Sequence, residues 1–131
     1  MTNNPNVELI KKFYIAFKKQ NKQFYLQLCD EKIEWISMDG MPNGGKYMGK
    51  DAVFYEYFPN MLSNFKEFHA EPTKFLSVKN MVIVFGRYRG LSVFNKKFDV
   101  PFSHVYTIKN KKIIQFQQFT DTKKIQDSLT N

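Results

Sequence analysis

Val7, Ile10, Phe13, Tyr14 and Phe17 recur at helical spacing and lay one apolar stripe along the start of the chain. Asn4-Pro5 just ahead of them offers a helix N-cap and a proline for the first helical position. A second short helix is predicted over 22–29, with Phe24 and Leu28 one turn apart, and Ile33-Glu34-Trp35-Ile36-Ser37 reads as a strand. The turn-rich run 39–45, Asp-Gly-Met-Pro-Asn-Gly-Gly, reads as a loop. A third helix is predicted over 50–62, kinked or ended by Pro59. From Phe65 onward the pattern changes to long strands, predicted over 67–78, 81–91, 96–108 and 113–121, with short polar turns such as Lys79-Asn80 between them. A last short helix is predicted over 122–129.

This order, α-α-β-α-β-β-β-β, predicts a single α+β domain spanning 1–131, with early helices covering one face of a curved antiparallel sheet. Phe13, Phe17 and Leu28 are expected to pack beneath it. Long strands twist and coil, and a coiled sheet wrapped on helices makes a cone whose interior suits a small molecule. Strand alternation puts Phe98, Val100, Phe102, His104 and Tyr106 on one sheet face and Asp99 on the other.

Composition sharpens this picture. Fourteen Phe and seven Tyr are enough to line a cavity as well as fill a core, and an apolar fraction of 43% excludes disorder. No apolar run reaches membrane-span length, and residues 1–5 lack the apolar region of a secretion signal. With Cys29 the single cysteine, no intrachain disulfide can form, so the expected setting is a reducing cytoplasm. The net charge of +8 raises nucleic acid as a partner. Apart from Arg87 and Arg89 the basic residues are lysines spread over every segment, on faces that should meet water, so nucleic acid is not the expected partner. His69, His104 and Cys29 sit on separate elements without ligand spacing, so neither metal nor cofactor is expected.

Several stretches carry a family resemblance. They are Val7-Glu8-Leu9-Ile10-Lys11-Lys12-Phe13-Tyr14, Ile33-Glu34-Trp35, Gly49-Lys50-Asp51-Ala52-Val53, Gly86-Arg87-Tyr88-Arg89-Gly90, Pro101-Phe102-Ser103-His104-Val105, and Lys112-Ile113 followed by Phe119-Thr120-Asp121-Thr122. In order and spacing the chain resembles the nuclear-transport-factor-2-like superfamily, in its ketosteroid-isomerase and SnoaL-like polyketide-cyclase branch. The resemblance implies a cone-shaped α+β fold and a homodimer through the open sheet face. It also implies isomerase, cyclase or dehydratase chemistry by proton transfer next to a carbonyl, or noncatalytic ligand binding. The isomerase tyrosine falls on Tyr14, the isomerase base on Ser37 and the second oxyanion donor on His104. Ser37 is no base at neutral pH. The acidic residue that the SnoaL-like branch carries late in the last strand falls on Asp121.

His104 and Asp121 interrupt apolar strand faces near a common sheet end, and an unpaired buried polar group is costly. The expected catalytic set is therefore His104, Asp121 and Tyr14, with His104 and Asp121 coupled in one cavity. His104 is either a proton-transfer group or a buried neutral imidazole holding its neighbours. Asp121 either orients His104, acts as a base with a raised pKa, or caps the terminal helix. Tyr14 either donates to a developing oxyanion or is a core aromatic. Trp35, Tyr47, Phe54, Tyr88, Phe102, Phe116 and Phe119 are the aromatics expected to line the cavity around a small hydrophobic molecule, or else to form plain core.

Overall fold

The computed structural model describes residues 4–130. The reading of residues 1–3 as free of an apolar leader thus lies outside the described residues. Helix α1 (Pro5–Lys18) starts as the sequence predicts: the Asn4 side chain accepts from the backbone N–H groups of Asn6 at 2.9 Å and Val7 at 3.1 Å. Its stripe buries Ile10, Phe13 and Ala16. Helix α2 (Lys22–Gln27) is capped by Asn21 and turns Tyr25 inward. Strand β1 (Cys29–Ser37) begins before Ile33, since Cys29 already pairs with Ile113 ahead of a register shift.

Strand β2 (Gly45–Met48) pairs with β1, Tyr47 opposite Trp35, where the sequence predicts only a loop followed by a helix. Four residues led in by glycines are too short for alternation to register. The third helix begins as a π-helical segment (Ala52–Tyr57) and continues as α3 (Phe58–Leu62). Pro59 does not end it. The proline occupies the first turn of the α-helical part, where a missing N–H is tolerated, and the wider π turn brings the Phe58 N–H to the Val53 carbonyl.

Strands β3 (Phe65–Val78), β4 (Met81–Ser92), β5 (Lys97–Lys109) and β6 (Lys112–Thr120) form the long antiparallel meander, and α4 (Thr122–Ser128) follows. The sheet order is β2-β1-β6-β5-β4-β3. The sheet is curved and open, and it corrects the expectation of a purely antiparallel one: β1 and β6 run parallel, because the meander returns β6 beside β1 in the same direction. The helices cover one face. Phe13 sits 6.2 Å from Trp35 and 6.1 Å from Tyr106, ring centre to ring centre, and Phe17 packs at a tilt against Phe58 at 5.0 Å. Leu28 packs at the margin of the same core.

The other face mixes apolar and charged groups. Phe85 is exposed beside Val105, while Arg87 pairs with Asp99 at 2.5 Å and Arg89 with Glu71 at 2.5 Å. Gly86 on β4 has no room for a side chain: a Cβ there would stand 2.3 Å from the Glu71 carbonyl oxygen and 2.5 Å from Phe102 Cζ. Cys29 is buried, its Sγ donates to the Tyr25 carbonyl at 3.5 Å, and burial pushes its thiol up to about 12 against the pull of Lys50 and Lys112. Among the described residues no helix is long and apolar enough to cross a membrane.

Candidate functional site

Between α1, the π/α3 helix and the inner face of the sheet lies a cavity of about 650 Å³. Its walls are largely apolar, with Phe13 and Phe17 from α1, Trp35 from β1, Phe58 and Met61 from α3, Phe68 from β3 and Phe116 from β6. Trp35 and Phe116 stack with centroids 3.8 Å apart. The exposed members of the lining, Ile15, Lys18 and Gln20 on one side and His69 and Glu71 on the other, mark its mouth.

The polar groups gather on one side. Register sets His104 of β5 opposite Gln118 of β6 and Val84 of β4, so its ring points inward, and helical spacing turns Tyr14 down from α1 to meet it. His104 Nδ1 lies 2.6 Å from the Tyr14 hydroxyl, and Nε2 lies 2.5 Å from the Tyr88 hydroxyl. Gln118 Nε2 donates to the Tyr88 oxygen at 2.8 Å. Gln118 Oε1 accepts from Ser37 Oγ at 2.9 Å and from the Met38 backbone N–H at 3.2 Å. Tyr57 in turn donates to Ser37 Oγ at 2.9 Å.

Electrostatics follow from burial. Desolvation holds the His104 pKa well below the usual imidazole value, so the ring is neutral at neutral pH. Burial likewise raises Tyr14 and Tyr88 well above the ordinary phenol, with neighbouring tyrosines adding to it, and pushes Tyr57 up to about 12. The site is thus a neutral, polarisable network set in aromatic walls. Phe102 lies flat on the imidazole. Among the described residues no three His, Cys, Asp or Glu side chains converge as a metal would require.

Tyr14 and His104 meet, but Asp121 does not join them. It follows β6 as the N-cap of α4, its carboxylate accepting from the Lys124 N–H at 3.1 Å, which is the capping alternative of the sequence reading. Both nitrogens of His104 are taken by tyrosine hydroxyls instead. Of the expected aromatic lining, Trp35, Tyr88 and Phe116 border the cavity. Phe54 is core packed against Trp35, and Tyr47 packs at a tilt against Tyr57, its hydroxyl donating to the Asn43 carbonyl. Phe102 stands behind His104 rather than in the cavity, and Phe119 is exposed on the outer sheet face. Ser37, the position of the isomerase base, is buried with its hydroxyl engaged by Gln118 and Tyr57.

Sequence reasoning missed Gln118 and Tyr57. An uncharged amide between apolar residues, Phe116 before it and Phe119 after, is the signal that could have found Gln118, because such a group is rarely buried without partners.

The fold has many solved counterparts. A structure of an NTF2-like protein of unknown function from Burkholderia pseudomallei superposes with a TM-score of 0.92 at 22% identity, covering 98% of this chain and 100% of that one. TerC, crystallised with polyporic acid, gives 0.89 at 22% identity, with 96% and 98% coverage. A protein with a ketosteroid isomerase-like fold from Catenulispora acidiphila, in complex with trimethylamine, gives 0.78 at 14% identity, with 92% and 91% coverage. No curated protein matches the sequence. The family model for the SnoaL-like domain matches residues 10–116. With its helices, curved open sheet and inward-facing cavity, the chain belongs to the SnoaL-like domain family, within the NTF2-like fold.

Proposed function

We propose that this protein binds a small, largely apolar molecule in the cavity, with the Tyr14 hydroxyl donating to an oxygen of that molecule. The observation that carries the reading is the contrast inside the cavity. Aromatic walls surround a hydrogen-bonded cluster that gathers on one side around Tyr14 and His104. Binding sites of this kind gain affinity from apolar burial and orientation from a few polar groups. The complexes of TerC with polyporic acid and of the Catenulispora protein with trimethylamine support small-molecule binding by this fold.

Trp35, the chain's single tryptophan, lines the cavity and is a built-in reporter. Titrating aromatic ketones and matched hydrocarbons against its fluorescence tests the proposal. Saturable quenching is expected, and Tyr14→Phe should weaken ketones roughly 2- to 13-fold, the worth of one hydrogen bond, while sparing hydrocarbons. Absence of quenching by every compound, with the fold intact, would sink the reading.

The Tyr14–His104 bond favours a second, catalytic reading. A fixed donor beside a bound carbonyl stabilises the negative charge that develops when water entering through the mouth takes a neighbouring proton, the first step of an isomerisation, cyclisation or dehydration. Among the described residues lining the cavity, the carboxylate is that of Glu71, exposed and paired with Arg89, so Asp121 is not assigned a role in it. Protein-dependent exchange of a bound ketone's α-protons in heavy water, followed by NMR, tests this step. Exchange no faster than in buffer would leave binding alone.

We further propose a homodimer joined through the open sheet face, where Ile83, Phe85 and Val105 give adjoining strands an apolar patch.

A further inference from the structure

We infer that Gln118 is a positioning residue that sets the order of the protons along Tyr88, His104 and Tyr14, so that the Tyr14 hydroxyl proton is not spent on His104 and is available to a ligand in the cavity. The inference deepens the binding proposal and rests on it only for what meets that proton.

One backbone group sets the order. The Met38 N–H can only donate, so the Gln118 atom facing it must be the amide oxygen, and Ser37 Oγ donates to the same atom. The amide orientation is therefore not interchangeable. Gln118 Nε2 is turned to Tyr88, and an amide nitrogen can only donate, so the Tyr88 oxygen accepts. The Tyr88 proton then goes to its other partner, His104 Nε2. A neutral imidazole that accepts at Nε2 carries its proton at Nδ1, and Nδ1 faces the Tyr14 oxygen. Tyr14 accepts there. Its own proton is not needed by His104 and goes to the neighbouring Tyr106 hydroxyl in the free protein, from which a ligand oxygen would take it over.

The order is thus set at the far end of the network, two residues removed from the hydroxyl that a ligand would touch. A site wired this way recognises molecules that present an acceptor oxygen, such as a ketone or an enolate, rather than a donor. Reversing one link reverses the rest. Glu in place of Gln118 would still accept from Ser37 and Met38, but it would also accept from Tyr88. Tyr88 would then accept from His104 Nε2–H, and Nδ1 would accept the Tyr14 proton.

The test is the tautomer of His104, read from the two ring nitrogens by ¹⁵N NMR in the ligand-free protein, with His69→Asn removing the only other imidazole. The expected result is a protonated, pyrrole-type Nδ1 and an unprotonated, pyridine-type Nε2. Gln118→Glu should exchange the two signals or protonate both nitrogens. Gln118→Met, of similar size and without donors, serves if the carboxylate variant does not fold, and should give a mixture of tautomers. A wild-type Nε2–H tautomer overturns the inference, as does either variant keeping the pure Nδ1–H form. Because no ligand is needed, failure here is separate from failure of the binding proposal, which Trp35 quenching judges.

Discussion

Phe102 lies against the imidazole of His104 with ring centroids 4.0 Å apart and planes 14° from parallel. The two residues point to the same sheet face, and the space for the phenyl ring exists because Gly86 on the neighbouring strand has no side chain. Gly86→Ala should press a methyl group into both the Phe102 ring and the Glu71 carbonyl. Overpacking of this kind costs about 1–3 kcal/mol, to be read as a lower urea midpoint. An unchanged midpoint would mean that the strands shift to accommodate it.

Stability should fall with acid through His104. Its folded pKa is depressed, so the unfolded chain takes up the proton first, near the ordinary 6.5, while the folded chain resists until well below that. The contribution is complete above about pH 6.5 and is lost as pH falls, at up to about 1.4 kcal/mol per pH unit. Tyr14, Tyr88 and Tyr106, the titratable groups around the ring, stay neutral throughout this window. Denaturant stability measured from about pH 8 to 5 should therefore slope more steeply in the wild type than in His104→Gln. Parallel slopes would contradict the neutral buried imidazole.

Asp121 should behave as a helix cap. Asp121→Ala is expected to cost about 0.5–2 kcal/mol, and Asp121→Asn or Ser much less, since these also cap well. Ketone binding read through Trp35 should be the same in all three. A selective loss of binding in Asp121→Asn, with stability intact, would return the carboxylate to the site.

Sedimentation should report the proposed dimer at micromolar concentration. Replacing Val105 with Glu places a carboxylate in the apolar patch of the outer face, and doubling it with Phe85→Lys should leave a folded monomer. A wild-type chain that sediments as a monomer ends this proposal.

The periodic parts of this fold were legible in the sequence because they are long: α1 with its Asn4-Pro5 start, and the strands from β3 onward, announce themselves by repetition. The candidate site was legible as far as Tyr14 and His104, which lie on those elements. What escaped is local irregularity. A two-residue turn at Asn110 and Lys111, both in the left-handed region, pairs Lys109 with Lys112, but a register shift next to Thr107 and Ile108 moves every later pair by one residue. That shift turns Phe116 and Gln118 inward and Phe119 outward. Phe116 and Phe119, three positions apart, cannot share a face of one regular strand, so alternation allows only one of them to line the cavity. The bulge that decides between them has no sequence mark. The parallel β1/β6 pair is equally silent, since hydrophobic pattern does not encode strand direction.

Cys29 offers the protein an internal clock. Its thiol is buried where β1 meets β6, and burial suppresses the thiolate, which is the form that reacts with alkylating reagents. Modification must then wait for local opening where α2 covers the start of β1, so the labelling rate of this single cysteine counts such openings rather than encounters with reagent. If a ligand locks the cone shut, the same rate should slow in step with occupancy, giving a measure of binding that needs no chromophore in the ligand.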